Sequence, residues 1–71
     1  MHESTLQIIA ENVRNRRKKL ELSQEELAER SGLHRTYVGA IERGERNITI
    51  ISLEKVALAL GCQVPDLVRA P

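Results

Sequence analysis

The stretch SQEELAERSGLHRTYVGAIERG, residues 23–44, decides the fold. Ser23 and Glu26 have capping-box spacing, in which the serine hydroxyl accepts from the Glu26 backbone N–H and the Glu26 carboxylate accepts from the Ser23 N–H. This pattern predicts a short helix that begins at Gln24. Gly32 then supplies the left-handed conformation that a sharp turn needs. The stretch therefore opens with a capped helix followed by a tight turn.

A second helix is predicted from about His34 to Arg43, with His34 as an imperfect cap and Gly44 just past its end. At about 100° per residue its side chains sort onto two faces. The inner face holds Val38, Ile41 and Glu42. The outer face holds Thr36, Gly39, Ala40 and Arg43, with Tyr37 on a flank. Two short helices with a glycine turn between them, the second with a small, basic front, are typical of a helix-turn-helix.

Apolar periodicity predicts three further helices around this pair. The first runs from about residue 6 to 20 and carries the stripe Leu6, Ile9, Ala10, Val13, Arg17 and Leu20. The fourth runs from about residue 50 to 60, with the inner stripe Ile50, Leu53, Val56, Ala57 and Leu60. A short fifth helix follows, with Pro65 at its first position. The sequence predicts one all-α domain of five helices over residues 1–71.

Charge and composition exclude several classes of protein. The net charge is +1, so only the distribution of charge points to nucleic acid, with a basic cluster at residues 14–19 in which Arg14 and Lys18 face outward. The single cysteine, Cys62, cannot form an internal disulfide, which fits a reducing compartment such as the cytoplasm. No membrane span, metal-ligand spacing, phosphate-binding loop or nucleophile–base constellation is visible. We expect no metal, cofactor, small-molecule ligand or membrane partner, and no enzymatic activity.

The stretch of residues 23–44 resembles the DNA-binding core of the Cro/C1-type (Xre) helix-turn-helix family. Within that family, the segment RTYVGAIERGERN, residues 35–47, followed by TIISLEKVALALG, residues 49–61, is most similar to the controller proteins of restriction–modification systems. The resemblance covers about residues 6–68. It implies the lambda-repressor-like five-helix bundle with a central helix-turn-helix, and a homodimer that binds two-fold symmetric half-sites on double-stranded DNA.

The resemblance also implies a role for individual residues. Base contacts are expected from Arg35, Thr36 and Tyr37. Backbone contacts are expected from Gln24 and Arg46, for which the resemblance gives a place at the DNA, and from Arg43 and Asn47 by their position at the end of the second motif helix. Simpler explanations stay open for four of them, since Arg35 can be a solvated charge, Tyr37 can complete the core, Gln24 can support the cap, and Arg43 can complement the helix dipole. Gly39 indicates close approach by DNA or by another helix.

Arg17 lies on an apolar stripe, where an unpaired charge is costly, so it needs a partner. Glu42 on the inner face of the second motif helix is the natural candidate. In the family, the residues that match these two form a structural ion pair. We therefore expect Arg17 and Glu42 to stabilise the fold.

The region of about residues 48–69 contains more apolar residues than the core of one small domain can bury. Those left over are Ile51, Leu58, Val64, Leu67 and Val68. Partial exposure is the simple explanation, and a two-fold dimer contact is what the resemblance implies.

The sequence thus predicts a transcriptional regulator that is a restriction–modification controller acting on its own operon. Alternatives are a phage-type repressor, an antitoxin, or a protein-interaction module with the same fold.

Overall fold

The structure is a computed structural model that describes residues 4–45 and 48–71. Its helices are α1 (Thr5–Lys19), α2 (Gln24–Ser31), α3 (Arg35–Glu42), α4 (Ile50–Leu60) and α5 (Val64–Val68). The all-α, five-helix prediction is confirmed.

Polar caps begin the helices where the sequence predicts them. The Ser4 hydroxyl accepts from the Gln7 backbone N–H at 3.2 Å, and α4 begins in the same way at Thr49. The capping box of α2 is complete: Glu26 N–H donates to Ser23 Oγ at 3.0 Å, and Ser23 N–H donates to Glu26 Oε1 at 2.8 Å. These bonds satisfy backbone donors that a helix N-terminus leaves without a partner, so each helix starts at a defined residue.

Residues in the left-handed conformation follow the ends of α1 and α2. After α2, Gly32 has φ +73°, and Leu33 N–H donates to the Ala28 carbonyl at 3.1 Å. After α1 the same geometry is taken by Glu21, with φ +58°, while Leu22 N–H donates to the Arg17 carbonyl at 3.1 Å. This is the Schellman arrangement. It turns the chain sharply from α1 into α2 and from α2 into α3.

The core lies where these turns bring the helices together. α1 packs against α3 and α5, while α2 packs against α3 and α4. Its buried members are Ile9, Val13, Leu27, Ala28, Val38, Ile41, Leu53, Val56, Ala57, Leu60 and Leu67. Because α2 and α3 are both fixed by the core, the surface between them has a defined shape.

Three details of the helix predictions are wrong. Ile50 is 65% exposed, because it is the first residue of α4 and its side chain tilts toward the helix N-terminus, beyond the core. Leu20 is half exposed, since α1 ends one residue earlier. Pro65 occupies the second helical position, because α5 begins at Val64.

The five residues predicted to form the dimer contact differ in their exposure. Leu67 is fully buried in the core of its own protomer and cannot reach a partner, so that prediction is wrong. Val64 is partly buried against the same core. Ile51, Leu58 and Val68 are exposed. The physical reason is that α5 is short and lies against α1, so its inner residue is used within the protomer.

Candidate nucleic-acid interface

A recess lies between the N-terminus of α2 and the outer face of α3. Its volume is about 410 Å³, and it is lined by Gln24, Arg35, Thr36, Gly39 and Arg43. Four of these five are residues that the sequence predicts to contact DNA. The fold therefore brings two predicted base contacts and two predicted backbone contacts to one concave surface.

The N-terminus of α3 presents its first residues to this recess. His34 caps the helix, because its Nδ1 accepts from the Thr36 backbone N–H at 3.1 Å. Arg35 follows with its side chain 67% exposed, and its Nη1 lies 3.7 Å from Glu25 Oε2 on α2. Such exposed ion pairs contribute little stability, so the Arg35 guanidinium exchanges this partner for another acceptor at low cost.

Arg43 and Gly39 form the other side of the recess. Arg43 Nε lies 3.0 Å from Glu45 Oε1, and both side chains are exposed. A Cβ atom on Gly39 would lie 3.1 Å from Arg43 Nη1 and 3.7 Å from Gln24 Oε1. The nearest atoms are thus the ends of two recess side chains rather than the backbone of another helix. The sequence offers two explanations for Gly39, close approach by DNA or by another helix. These contacts favour the first, because Gly39 faces the recess and not the backbone of a second helix.

Two side chains of α3 are less exposed than the predicted outer face requires. Ala40 is buried, so its predicted place on the outer face is wrong. Tyr37 is partly buried and packs against the core, which leaves only part of the ring available for contact. Arg46 and Asn47, the remaining predicted backbone contacts, lie outside the described residues.

Below the recess, Arg17 and Glu42 form a bidentate ion pair. Arg17 Nε donates to Glu42 Oε2 at 2.6 Å, and Arg17 Nη2 donates to Glu42 Oε1 at 2.9 Å. The two side chains are 12% and 2% exposed. A third donor, Arg17 Nη1, reaches the Leu22 carbonyl at 2.8 Å. The hydrogen bond to Glu42 raises the pKa of Arg17 above its already high ordinary value, so the Arg17 guanidinium stays charged in the folded protein.

Two further side chains converge on Glu42. Gln24 Nε2 donates to Glu42 Oε1 at 3.0 Å. Arg14 Nη1 donates to the Glu42 backbone carbonyl at the end of α3. Arg14 is therefore partly buried and structural, and its predicted outward position is wrong. Helix α1 thus fixes the C-terminal end of α3 through two arginines.

Asn12 is a structural residue that the sequence reasoning missed. Its Nδ2 donates to the carbonyls of Leu67 and Arg69, at 2.9 and 2.7 Å, and the residue is buried. The available signal was its position three residues after Ile9, on the edge of the apolar stripe. A polar residue at such a position needs a buried partner.

The helix-turn-helix family HTH_3 matches residues 13–67 of this chain. The chain belongs to this family. The match covers the two motif helices, the recess between them and the packed part of α5. The protein is a DNA-binding transcriptional regulator and not an enzyme.

Named relatives fit that assignment. The chain is 57% identical over 61 residues to the control protein C.SmaI of Serratia marcescens, covering 86% of this chain and 73% of that protein. It is 51% identical over 49 residues to the control protein C.BamHI of Bacillus amyloliquefaciens, covering 69% of this chain and 60% of that protein. The resemblance stated from the sequence is confirmed.

Solved structures show the same architecture. The hypothetical transcription factor NHTF from Neisseria superposes with a TM-score of 0.93 at 43% identity, covering 96% of this chain and 78% of that one. The restriction-modification controller protein C.AhdI from Aeromonas hydrophila gives 0.85 at 42% identity, covering 87% and 94%. Within residues 4–45 and 48–71, no helix is long and apolar enough to cross a membrane.

Proposed function

We propose that this protein is a dimeric controller of a restriction–modification system that binds a two-fold symmetric operator and regulates its own operon in the cytoplasm. The observation that carries the proposal is the recess between α2 and α3, where Arg35 and Arg43 stand exposed beside Gln24 and Thr36. The naming of C.SmaI, C.BamHI and C.AhdI as controller or control proteins supports the system.

In this proposal, the N-terminal residues of α3 contact the DNA bases. A recognition helix places its N-terminal residues at base edges in the major groove. The Arg35 guanidinium matches guanine O6 and N7 with two hydrogen bonds, and the Thr36 methyl group fits a thymine methyl. Tyr37 contributes the accessible edge of its ring. The exposure of Arg35 supports its role, because its only ion-pair partner among the described residues, Glu25, is weakly held.

In this proposal, side chains at the rim of the recess contact the DNA phosphates. Arg43 offers a charged donor, and Gln24 offers an amide N–H beside the free backbone N–H groups at the start of α2. Arg46 and Asn47 extend this set by their sequence positions after α3. Contacts of this kind set the register of the protein on DNA, while base contacts set the specificity.

The dimer contact is proposed to be the exposed apolar face of α4 together with α5. Ile51 and Leu58 are 62% and 82% exposed and lie seven residues apart, so they share one face of the helix. Ile50, the first residue of α4, and Val68, the last residue of α5, are also exposed apolar residues. A second copy is the chosen occupant because two-fold dimers are the most common oligomers, and a palindromic operator needs two recognition helices.

Dimerisation gives the regulator its input. When DNA binding is coupled to dimer formation, occupancy of the operator rises steeply with the concentration of the protein itself. A controller that regulates its own operon therefore responds to its own accumulation. No small effector is needed for this response.

The test is selection of bound sequences from a random DNA pool, with wild type, Arg35→Ala and Arg30→Ala compared. Arg30 is the matched control, since it is exposed at the far end of α2. We expect wild type and Arg30→Ala to enrich the same two-fold symmetric motif, and Arg35→Ala to lose a guanine position within it. Failure of the wild type to enrich any sequence at low salt would contradict the proposal and point to a protein-interaction module.

A further inference from the structure

The Glu42 carboxylate joins the buried ion pair to the DNA-facing recess. Its Oε1 accepts from Arg17 Nη2 at 2.9 Å and from Gln24 Nε2 at 3.0 Å. We propose that Glu42 is a positioning residue for DNA binding, which sets the orientation in which the Gln24 amide meets a phosphate in the recess. This inference rests on the proposed function and adds a second role to a residue whose evident role is structural.

The orientation of the Gln24 amide follows from hydrogen-bond chemistry. An ionised carboxylate only accepts hydrogen bonds, so the amide nitrogen and not the amide oxygen must face Glu42. The carboxylate cannot turn away, because Arg17 holds both of its oxygens and the side chain is 2% exposed. Gln24 Oε1 then lies on the recess side, 3.7 Å from the position that a Cβ atom on Gly39 would take.

One donor remains for DNA. The Nε2 group carries two hydrogens, of which Glu42 takes one. No other acceptor in residues 4–45 or 48–71 receives the second. A phosphate oxygen at the rim of the recess is a suitable partner for it. Because the amide is ordered when the protein folds, its conformational entropy is not lost again when DNA binds.

The first measurement uses the free wild-type protein. Side-chain amide hydrogen exchange, followed by NMR, compares Gln24 with the exposed control Gln63. We expect at least one Nε2 hydrogen of Gln24 to exchange several-fold more slowly, because it is bonded to a buried carboxylate. Equal exchange at the two glutamines would overturn the inference, since Glu42 would then not hold the amide in solution.

The second measurement is a double-mutant cycle on the affinity for the selected operator. Gln24→Met removes the amide at similar length, and Glu42→Asp keeps the charge for Arg17 but withdraws it by one methylene. We expect Glu42→Asp to weaken binding on the order of fivefold in the wild-type background, the worth of about one hydrogen bond. In the Gln24→Met background the same change should have almost no effect.

A purely structural role for Glu42 predicts a different result, the same loss of affinity in both backgrounds. All four proteins are compared at a temperature where far-UV circular dichroism shows them folded. If Glu42→Asp does not fold, the inference is tested by the exchange measurement and by the operator affinity of Gln24→Met, which leaves the ion pair intact. Unchanged affinity of Gln24→Met would overturn the inference. If the wild type binds no DNA, both the proposed function and this inference fail. If the wild type binds tightly and the effects of the two substitutions on affinity simply add, only this inference fails.

Discussion

Arg17 on α1 and Glu42 on α3 form a buried, bidentate ion pair with N···O distances of 2.6 and 2.9 Å. The pair joins α1 to α3, and its two residues are 25 positions apart in the chain. Removing one member leaves the other charged and buried, which is much more costly than removing both. The contact therefore couples the stability of the fold to the placement of α3.

Glu42→Ala is expected to lower the unfolding free energy by about 3–5 kcal/mol, because it leaves the Arg17 guanidinium unpaired in the interior. In a domain of this size the melting temperature then falls by roughly 12–40 °C, if each kcal/mol shifts it by about 4–8 °C. Thermal unfolding by circular dichroism measures the shift. Glu29→Ala, the same substitution at an exposed site of α2, is the control. Near-equal melting temperatures for the two variants would show that the ion pair contributes little.

Asn12→Leu tests the attachment of α5. The variant removes the amide nitrogen that donates to the Leu67 and Arg69 carbonyls, at 2.9 and 2.7 Å. The buried Leu67 acceptor then loses this partner, which costs about 1–3 kcal/mol. We expect a clear loss of stability in urea unfolding. Asn15→Leu makes the same change at an exposed position of α1. If Asn12→Leu is as stable as Asn15→Leu, the amide does not fasten α5.

The helix boundaries and the turn were accessible from the sequence because they depend on local chemistry. Ser23 and Glu26 cap α2, Thr49 caps α4, and Gly32 takes a left-handed φ, each as predicted. These features involve residues within a few positions of one another. The rules that govern them are the same in any protein.

Burial was less accessible, because it depends on which helices are neighbours. Ile50 and Leu67 both fit an apolar pattern, yet one is 65% exposed and the other fully buried. The difference comes from the position of α4's first turn beyond the core and from the packing of α5 on α1. Asn12 and Arg14 were missed for the same reason, since their acceptors lie 55 and 28 residues away.

Part of the candidate site could be predicted. Gln24, Arg35, Thr36 and Arg43 were named from the sequence, and the structure brings all four to one recess. The hydrogen bond from Gln24 to Glu42 could not be predicted, because the helical pattern gives each residue a face but gives no distance between side chains on two helices.

Glu21→Gly is expected to stabilise the protein by about 1 kcal/mol. Glu21 has φ +58°, a left-handed conformation that is costly for a residue with a Cβ atom and free for glycine. The turns after α2 and α4 use Gly32 and Gly61 in this position. Urea unfolding of wild type, Glu21→Gly and the control Glu21→Ala measures the effect. An equal gain for alanine would indicate that loss of the charge, rather than relief of backbone strain, is responsible.

The capping box of α2 predicts a dependence of stability on pH. The hydrogen bond from the Ser23 backbone N–H, with a further contribution from the Ser23 hydroxyl, lowers the pKa of Glu26 below its ordinary value of 4.5. Because the pKa is lower in the folded state, the charged cap stabilises the protein fully above that ordinary value. The stabilisation is lost as the pH falls through the folded-state pKa.

Glu26→Gln isolates this effect, because glutamine still accepts from the Ser23 N–H but carries no charge. We expect wild type to be more stable than the variant near neutral pH, and the difference to shrink as the pH falls below 4.5 and then through the lower folded-state pKa. Urea unfolding of both proteins across this range measures it. A difference that stays constant with pH would show that the charge of Glu26 plays no part in the cap.

Leu58→Lys tests the proposed dimer surface. Leu58 is 82% exposed in the protomer, so lysine at this site does not disturb the core, whereas in a two-fold contact each protomer would bring a new charge to the apolar interface. We expect the variant to be monomeric by sedimentation at concentrations where wild type is dimeric, with an unchanged circular dichroism spectrum and weaker operator binding. Asn15→Lys adds the same charge on the exposed side of α1 and should remain dimeric. A dimeric Leu58→Lys protein would place the contact elsewhere, while loss of the dimer without loss of fold assigns it to α4.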